Sequence, residues 1–378
     1  MSDVYQESVE LHRKNRGKLE LKSKVALNNK EDLSLAYTPG VSEVCRLIAA
    51  DKSAALTHTM KGNMIAVVSD GSAILGLGNL GPEAALPVME GKAILFKAFA
   101  DVDAFPICLD TQDTEEIIKT VKYLAPNFGG INLEDISAPR CFEIEARLKA
   151  ELNIPVMHDD QHGTAMVVLA GLINAIKLRG LTKEDAKILI NGAGAAGLAI
   201  TDLLLHYGFK NIIVCDSQGS IYEGREDLNE AKIKYAKLTN CQLIKAPLSE
   251  AIKNQDIFIG VSQGDVLSEG MACSMNEKPI IFALANPTPE IMPEAAKSAG
   301  AYIVATGRSD YPNQLNNVLA FPGIFRGALD NKVTQITDKM LVRAAESLAA
   351  LVKEPTVERI LPNPFEDGIS QAVAQSIY

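Results

Sequence analysis

Lys187-Ile188-Leu189-Ile190-Asn191-Gly192-Ala193-Gly194-Ala195-Ala196-Gly197 leads into a helical run to Tyr207 and then into Asn211-Ile212-Ile213-Val214-Cys215-Asp216. Strand, Gly-x-Gly-x-x-Gly turn, helix and a second strand ending in an acid are the parts of a dinucleotide-binding βαβ unit in their required order. Gly192 permits the tight turn, Gly194 lets the backbone approach a pyrophosphate, and Gly197 allows close helix–strand packing. Ala195 and Ala196 open the helix, whose N-terminus then meets the phosphate charge. Asp216 lies 19 residues beyond Gly197, where a carboxylate accepts from a ribose 2′-hydroxyl. A glycine pattern alone also fits an ordinary turn; the two strands and the acid single out a nucleotide site.

Upstream, Ile154 to Met157 reads as a short strand, with His158, Asp159 and Asp160 at its C-terminal end and an apolar helix from about Gly163 to Leu178. Adjacent carboxylates at the end of a parallel strand face the crevice in which open α/β sheets bind ligands. They require a cation, a proton or solvent between them, although an Asp before a helix is also a common N-cap. A second acidic pair, Glu134-Asp135, closes the strand-like run Gly130 to Leu133. Lys92 falls among apolar residues of the helix Pro82 to Ala100, where burial is expected to push its pKa down toward a general-base range. Between the strand Met64 to Ser69 and that helix, Gly76 and Gly78 belong to a glycine-rich loop whose N–H groups can approach a ligand or simply close a turn. Tyr37 precedes the turn Thr38-Pro39-Gly40, where a tyrosine is usually an amphipathic plug.

Strands and helices alternate along the whole chain, which implies parallel sheets with helices on their faces. The expected fold is α/β with two domains: an N-terminal parallel-sheet substrate domain over residues 1–160 and a C-terminal Rossmann-type NAD-binding domain over 161–378. The last helices, from Thr337 onward, are expected to pack back across the body. A length of 378 residues favours two cores. The net charge of −10 argues against nucleic acid as a partner. The longest apolar run, Ala165 to Leu178, is too short to span a bilayer, and the N-terminus lacks the pattern of a signal peptide. Six scattered cysteines without a Cys-x-x-Cys pair suit a reduced, cytoplasmic protein. The mixed-charge segment before residue 30 reads as an arm, either lying on a partner subunit or covering its own domain.

Several motifs occur together and in order: Tyr37-Thr38-Pro39-Gly40, Leu75-Gly76-Leu77-Gly78-Asn79-Leu80-Gly81, Glu90-Gly91-Lys92, Leu133-Glu134-Asp135, His158-Asp159-Asp160-Gln161-His162-Gly163-Thr164, Ala285-Asn286-Pro287-Thr288 and Asn316-Asn317-Val318-Leu319-Ala320-Phe321-Pro322. Over nearly its whole length the chain resembles the malic enzyme family, in its short bacterial type. The resemblance implies metal-dependent oxidative decarboxylation of L-malate to pyruvate and CO₂. It implies that Glu134, Asp135 and Asp160 hold Mg²⁺ or Mn²⁺, a choice their all-oxygen chemistry suits. Lys92 would be the general base, Tyr37 the general acid, and Asp159 the neighbour that tunes Lys92. Asn286 and Asn317 would face nicotinamide and substrate, with Asn316 close by, and His158 and His162 would lie outside the metal's ligands. Larger family members carry an arginine where this chain has Ser72-Ala73, so backbone amides of the Gly76 to Gly81 loop are the expected substitute for binding substrate carboxylate. Short members commonly pair as homodimers, to which the N-terminal arm can contribute. Asp216, with no basic residue before Arg225, favours NAD over NADP, unless Arg225, Lys232 or Lys234 folds back onto the ribose. Two rival functions share these features: a metal-dependent oxaloacetate decarboxylase on the same scaffold, and a dinucleotide-sensing regulator without catalysis.

Overall fold

Four helices precede the first sheet: α1 (Ser2–Asn15), α2 (Lys30–Ala36), α3 (Val41–Ala50) and α4 (Ala55–His58). The protein was analysed as a computed structural model that describes residues 2–74 and 77–378. The side chain of Asn29 accepts from the Asp32 N–H to start α2, which ends at Tyr37, just before the Thr38–Pro39 turn. None of α2, α3 and α4 buries a residue, and Val4, Tyr5 and Val9 of α1 are exposed as well. These helices therefore have an apolar face and no core of their own.

The first sheet runs β2-β1-β3-β4, all parallel, from β1 (Met64–Ser69), β2 (Asp103–Cys108), β3 (Gly130–Leu133) and β4 (Val156–His158). Three helices cover it: α5 (Pro82–Ala100), α6 (Thr114–Leu124) and α7 (Arg140–Glu151). Side chains alternate along a strand, so Ile65 and Val67 join the core with Met89 and Phe96 of α5. Ala66 and Val68 join Ile117, Val121, Ile144 and Leu148 of α6 and α7 on the other face.

The second sheet has the order β10-β9-β8-β5-β6-β7. Its strands are β5 (Lys187–Asn191), β6 (Asn211–Asp216), β7 (Gly219–Ser220), β8 (Ile257–Gly260), β9 (Ile280–Ala283) and β10 (Ile303–Thr306). Only the short β7 is antiparallel. The long helix α8 (Asp159–Arg179) joins the two sheets, and α9 (Ala195–Tyr207) follows the glycine turn after β5. Smaller helices α10 (Glu230–Leu238), α11 (Leu248–Ala251), α12 (Glu269–Cys273) and α13 (Pro293–Ser298) connect the later strands. The chain closes with α14 (Phe321–Asp330), α15 (Asp338–Ala350) and α16 (Ile369–Ala374).

The closing helices return to the first half. Phe96 of α5 meets Phe321 and Phe325 of α14 edge-on, with ring centroids 4.7 Å and 5.5 Å apart. One continuous core thus runs from β1 through α8 to β5 and α15. One element differs from the sequence reading. Helix α8 starts at Asp159 rather than near Gly163, with His158 in extended geometry as its N-cap, because acids in the first turn are favoured by the helix dipole. Phe321 and Pro322, which close the Asn316 to Pro322 motif, open α14, a helix buried along most of its length.

Candidate active site

Leu133 of β3 stands opposite His158 of β4, so the acids that follow each strand emerge side by side. Asp135 adopts a left-handed backbone (φ 53°), a conformation short polar residues tolerate, and its N–H donates to Asp160 Oδ2 at 2.9 Å. Glu134, Asp135 and Asp160 each present an oxygen within 4.8 Å of the other two. Three carboxylate oxygens, no sulfur and no imidazole make a donor set for a hard divalent cation such as Mg²⁺ or Mn²⁺. The residues present therefore fit the ion.

Lys92 reaches this cluster from α5. Its Nζ lies 2.6 Å from Asp159 Oδ2 and 2.8 Å from Glu134 Oε1, with the ring of Phe321 centred 4.2 Å away. Burial by itself would lower the Lys92 pKa, as the sequence suggested. The carboxylates of Asp159, Glu134 and Asp160 outweigh burial and hold the pKa above its ordinary value, so the depressed pKa expected from sequence is corrected. Burial pushes Asp159 and Glu134 up to about 7 against the pull of Lys92, and it raises Asp160 as well. Burial is the first cause for each of the three acids, and a neighbouring carboxylate adds to it.

The amides divide. Asn317 Nδ2 donates to Asp159 Oδ2, which places it in the cluster. Asn316 instead caps the turn that follows, accepting from the Val318 N–H. Asn286 follows β9 at the mouth of the second domain and bonds none of the carboxylates. Four residues further on, buried Glu290 ties the loops after β8 and β9 together, accepting from the N–H groups of Ser262 and Ala285 at 2.9 Å and 3.0 Å. His162 turns to Glu145, and His158 is buried, its pKa lowered by burial to about 4 and its Nδ1 3.6 Å from Asp160 Oδ2; among the described residues, the cluster of ligand atoms within 4.8 Å of one another holds the three carboxylates and neither histidine.

Tyr37 is not brought to Lys92. It is 66% exposed at the end of α2, whereas Lys92 is 7% exposed. Gly76 lies outside the described residues; Gly78 has a positive φ (86°) and pairs with Ile74. The loop amides of Leu80 and Gly81 both donate to Gly71 O at 3.2 Å, which corrects their expected use for a substrate carboxylate. Arg140 supplies a cation beside that loop, paired with Asp70 at 2.9 Å and donating to Ser72 Oγ at 3.0 Å.

In the second domain a cleft of about 910 Å³ opens between Gly192–Gly194, Asp216–Gly219 and Val261–Gln263. A Cβ on Gly197 would lie 1.7 Å from Gly192 O, so the glycine is dictated by the close approach of α9 to the turn. Asp216 is not the unopposed acid that the sequence suggested. Arg225 Nη2 lies 2.9 Å from Oδ1, and Lys232 Nζ 2.7 Å from Oδ2, whereas Lys234 turns away to Asp202.

Asn132, Glu145 and Arg140 were missed in the sequence. Asn132 Nδ2 donates to Glu134 Oε2 at 2.9 Å from within a buried strand. A signal existed: an amide in an otherwise apolar four-residue strand has to find a polar partner.

Comparison with known proteins agrees with this geometry. The model of the malic enzyme N-terminal domain matches residues 16–149, and that of the malic enzyme NAD binding domain matches residues 161–378. The chain is 57% identical to the bifunctional malic/malolactic enzyme of Bacillus subtilis (strain 168), covering 98% of this chain and 92% of that one. It is 54% identical to the NAD-dependent malic enzyme of Geobacillus stearothermophilus, over 96% of this chain and 76% of the other. Other similar chains are named NADP-dependent malic enzymes. The crystal structure of the NAD-dependent malic enzyme of Thermotoga maritima superposes with a TM-score of 0.95 at 51% identity, covering 98% of each chain. With both halves matched in order, the chain belongs to the malic enzyme family, whose members oxidatively decarboxylate malate.

Proposed function

We propose that malate turnover in this chain uses Lys92 as general base and Tyr37 as general acid, and that the two residues come from different copies in a homodimer. The observation that carries the first part is the position of Lys92, in contact with Asp159 and Glu134 at the edge of the three-carboxylate cluster. Lys92 takes the proton of the malate C2 hydroxyl. Glu134, Asp135 and Asp160 would hold Mg²⁺ or Mn²⁺, which would supply Lewis-acid polarisation of the C2 oxygen. A nicotinamide dinucleotide seated on the Gly192–Gly197 turn supplies the hydride acceptor. Asp159 and Asn317 keep the lysine in register, and Tyr37 delivers a proton to C3 to give pyruvate.

Exposed Tyr37 sits on an arm that lacks a core. Leu21, Val25, Leu27 and Leu35 of the same arm are exposed too, as are Leu86 and Phe105 on the adjoining body. Apolar surface of this extent marks an interface. In a two-fold dimer each arm lies on the other copy, so one contact completes both sites. NAD is the proposed coenzyme, since Asp216 still accepts from a ribose hydroxyl. Its pairing with Arg225 and Lys232 relieves the repulsion of a 2′-phosphate, so discrimination against NADP is modest.

The test is absorbance of reduced nicotinamide with L-malate and Mn²⁺, with pyruvate and lactate measured separately because one relative is named for both activities. Malate-dependent reduction with matching pyruvate is expected, lost on chelation and restored by Mn²⁺. Decarboxylation of oxaloacetate with no malate-dependent reduction would favour the decarboxylase alternative.

A further inference from the structure

Glu145 lies beneath the active site on α7 and is 5% exposed. Buried residues of that helix recur at 141, 144, 145 and 148, the spacing of a single face, and three of the four are apolar. A carboxylate in the remaining place is costly unless its charge and lone pairs are satisfied. Here they are. Oε1 accepts the backbone N–H of His158 at 2.9 Å and lies 2.8 Å from Lys149 Nζ, and Oε2 meets His162 Nε2 at 2.9 Å.

The two contacts to β4 and α8 straddle Asp159 and Asp160. His158 immediately precedes the acidic pair, and His162 follows one residue after Gln161. β4 is an edge strand, so N–H groups on its open side have no sheet partner. Glu145 takes the place of that partner at the last strand residue. Beyond Leu133 and His158 the sheet ladder ends, and the facing acidic pairs are joined by the Asp135 N–H to Asp160 bond and by Lys92, which lies against both Glu134 and Asp159. A rigid support below the strand–helix junction is what keeps Asp160 turned toward Glu134 and Asp135 while Asp159 turns toward Lys92.

We propose that Glu145 is a positioning residue for the cation site: by clamping the His158 N–H and the His162 ring, it fixes the junction from which Asp160 reaches the metal. This rests on the reading that Glu134, Asp135 and Asp160 hold a divalent cation. Groups that orient ligands from behind are worth about ten- to a hundredfold in metal affinity. Glu145→Gln keeps the shape of the side chain and removes its charge.

The experiment is Mn²⁺ binding followed by electron paramagnetic resonance, with NADH binding by calorimetry and a melting curve on the same samples. Glu145→Gln is expected to weaken Mn²⁺ binding about tenfold or more, leave NADH affinity unchanged, and regain kcat at saturating Mn²⁺. Lys149→Ala, which removes the Lys149 contacts to Glu145 and to His162 Nε2 (3.3 Å) but neither hydrogen bond of the clamp, is expected to bind Mn²⁺ within about twofold of the wild type. Should Glu145→Gln fail to fold, His162→Gln opens the same clamp from the other side and is expected to weaken Mn²⁺ binding in the same direction. Wild-type Mn²⁺ affinity in the folded clamp variant overturns the role of Glu145. Failure of the wild-type protein itself to bind Mn²⁺ overturns the cation reading and this proposal with it.

Discussion

Lys92 shows what one residue owes to its neighbours. Its identity and its apolar surroundings were legible in the sequence, but the direction of its pKa was not. That direction depends on three carboxylates from two other strand ends, and their convergence exists only in three dimensions. Replacing Lys92 by Ala should reduce malate oxidation by at least the roughly 10² to 10⁴ that a general base contributes, with the folded state retained, as kcat and a melting curve would show. Tyr37→Phe should keep the reduction of oxaloacetate far better than overall malate decarboxylation, because its proposed role is confined to C3. Equal loss of both activities contradicts that role. Asp216 teaches the same lesson: the acid is plain in the chain, whereas Arg225 and Lys232, 9 and 16 residues further on, are brought to it by β7 and α10. Lys232→Ala should lower kcat/KM for NADP more than for NAD; an equal fall for both would show that Lys232 does not reach a 2′-phosphate.

At the scale of elements, the long periodic helices and the apolar strands could be read directly, because burial imposes the pattern that identifies them. Boundaries were harder where function sets them. Helix α8 begins four residues earlier than its apolar run suggests, since its first turn carries Asp159 and Asp160 toward the site instead of into the core. Glu145 was overlooked for the complementary reason: a charge on a buried helix face is read as an interruption until its partners are seen. Two glycines offer separate tests of the two halves. A Cβ at position 163 would fall 1.9 Å from Asp159 Oδ1. Gly163→Ala should therefore displace Asp159 from Lys92 and cost about 1–3 kcal/mol in stability, cutting malate turnover while NADH binding persists. Gly197→Ala, crowded against Gly192 O, should do the reverse and weaken NADH binding while Mn²⁺ binding is kept. Calorimetry with each ligand separates the two outcomes.

Across the whole molecule, two sheets share one core through α8 and the returning α14, which ties the half that carries the carboxylate cluster to the half that carries the dinucleotide cleft. The order of motifs made this architecture readable before any coordinates. What the chain could not reveal was where Tyr37 would lie, because the arm's apolar residues stay largely exposed within one copy. A mass measurement in solution should give a dimer, and a monomer at full activity would contradict the shared site. The most direct measurement mixes two inactive variants, Lys92→Ala and Tyr37→Phe, under conditions that let subunits exchange, and follows malate-dependent pyruvate formation. If Tyr37 acts across the dimer, each mixed pair rebuilds one site carrying both native residues, and activity should climb toward about a quarter of wild type as random pairing is reached. If Lys92 and Tyr37 act within one chain, every site in the mixture still lacks one of them, and activity that stays at the level of the separate variants despite proven exchange would contradict the account.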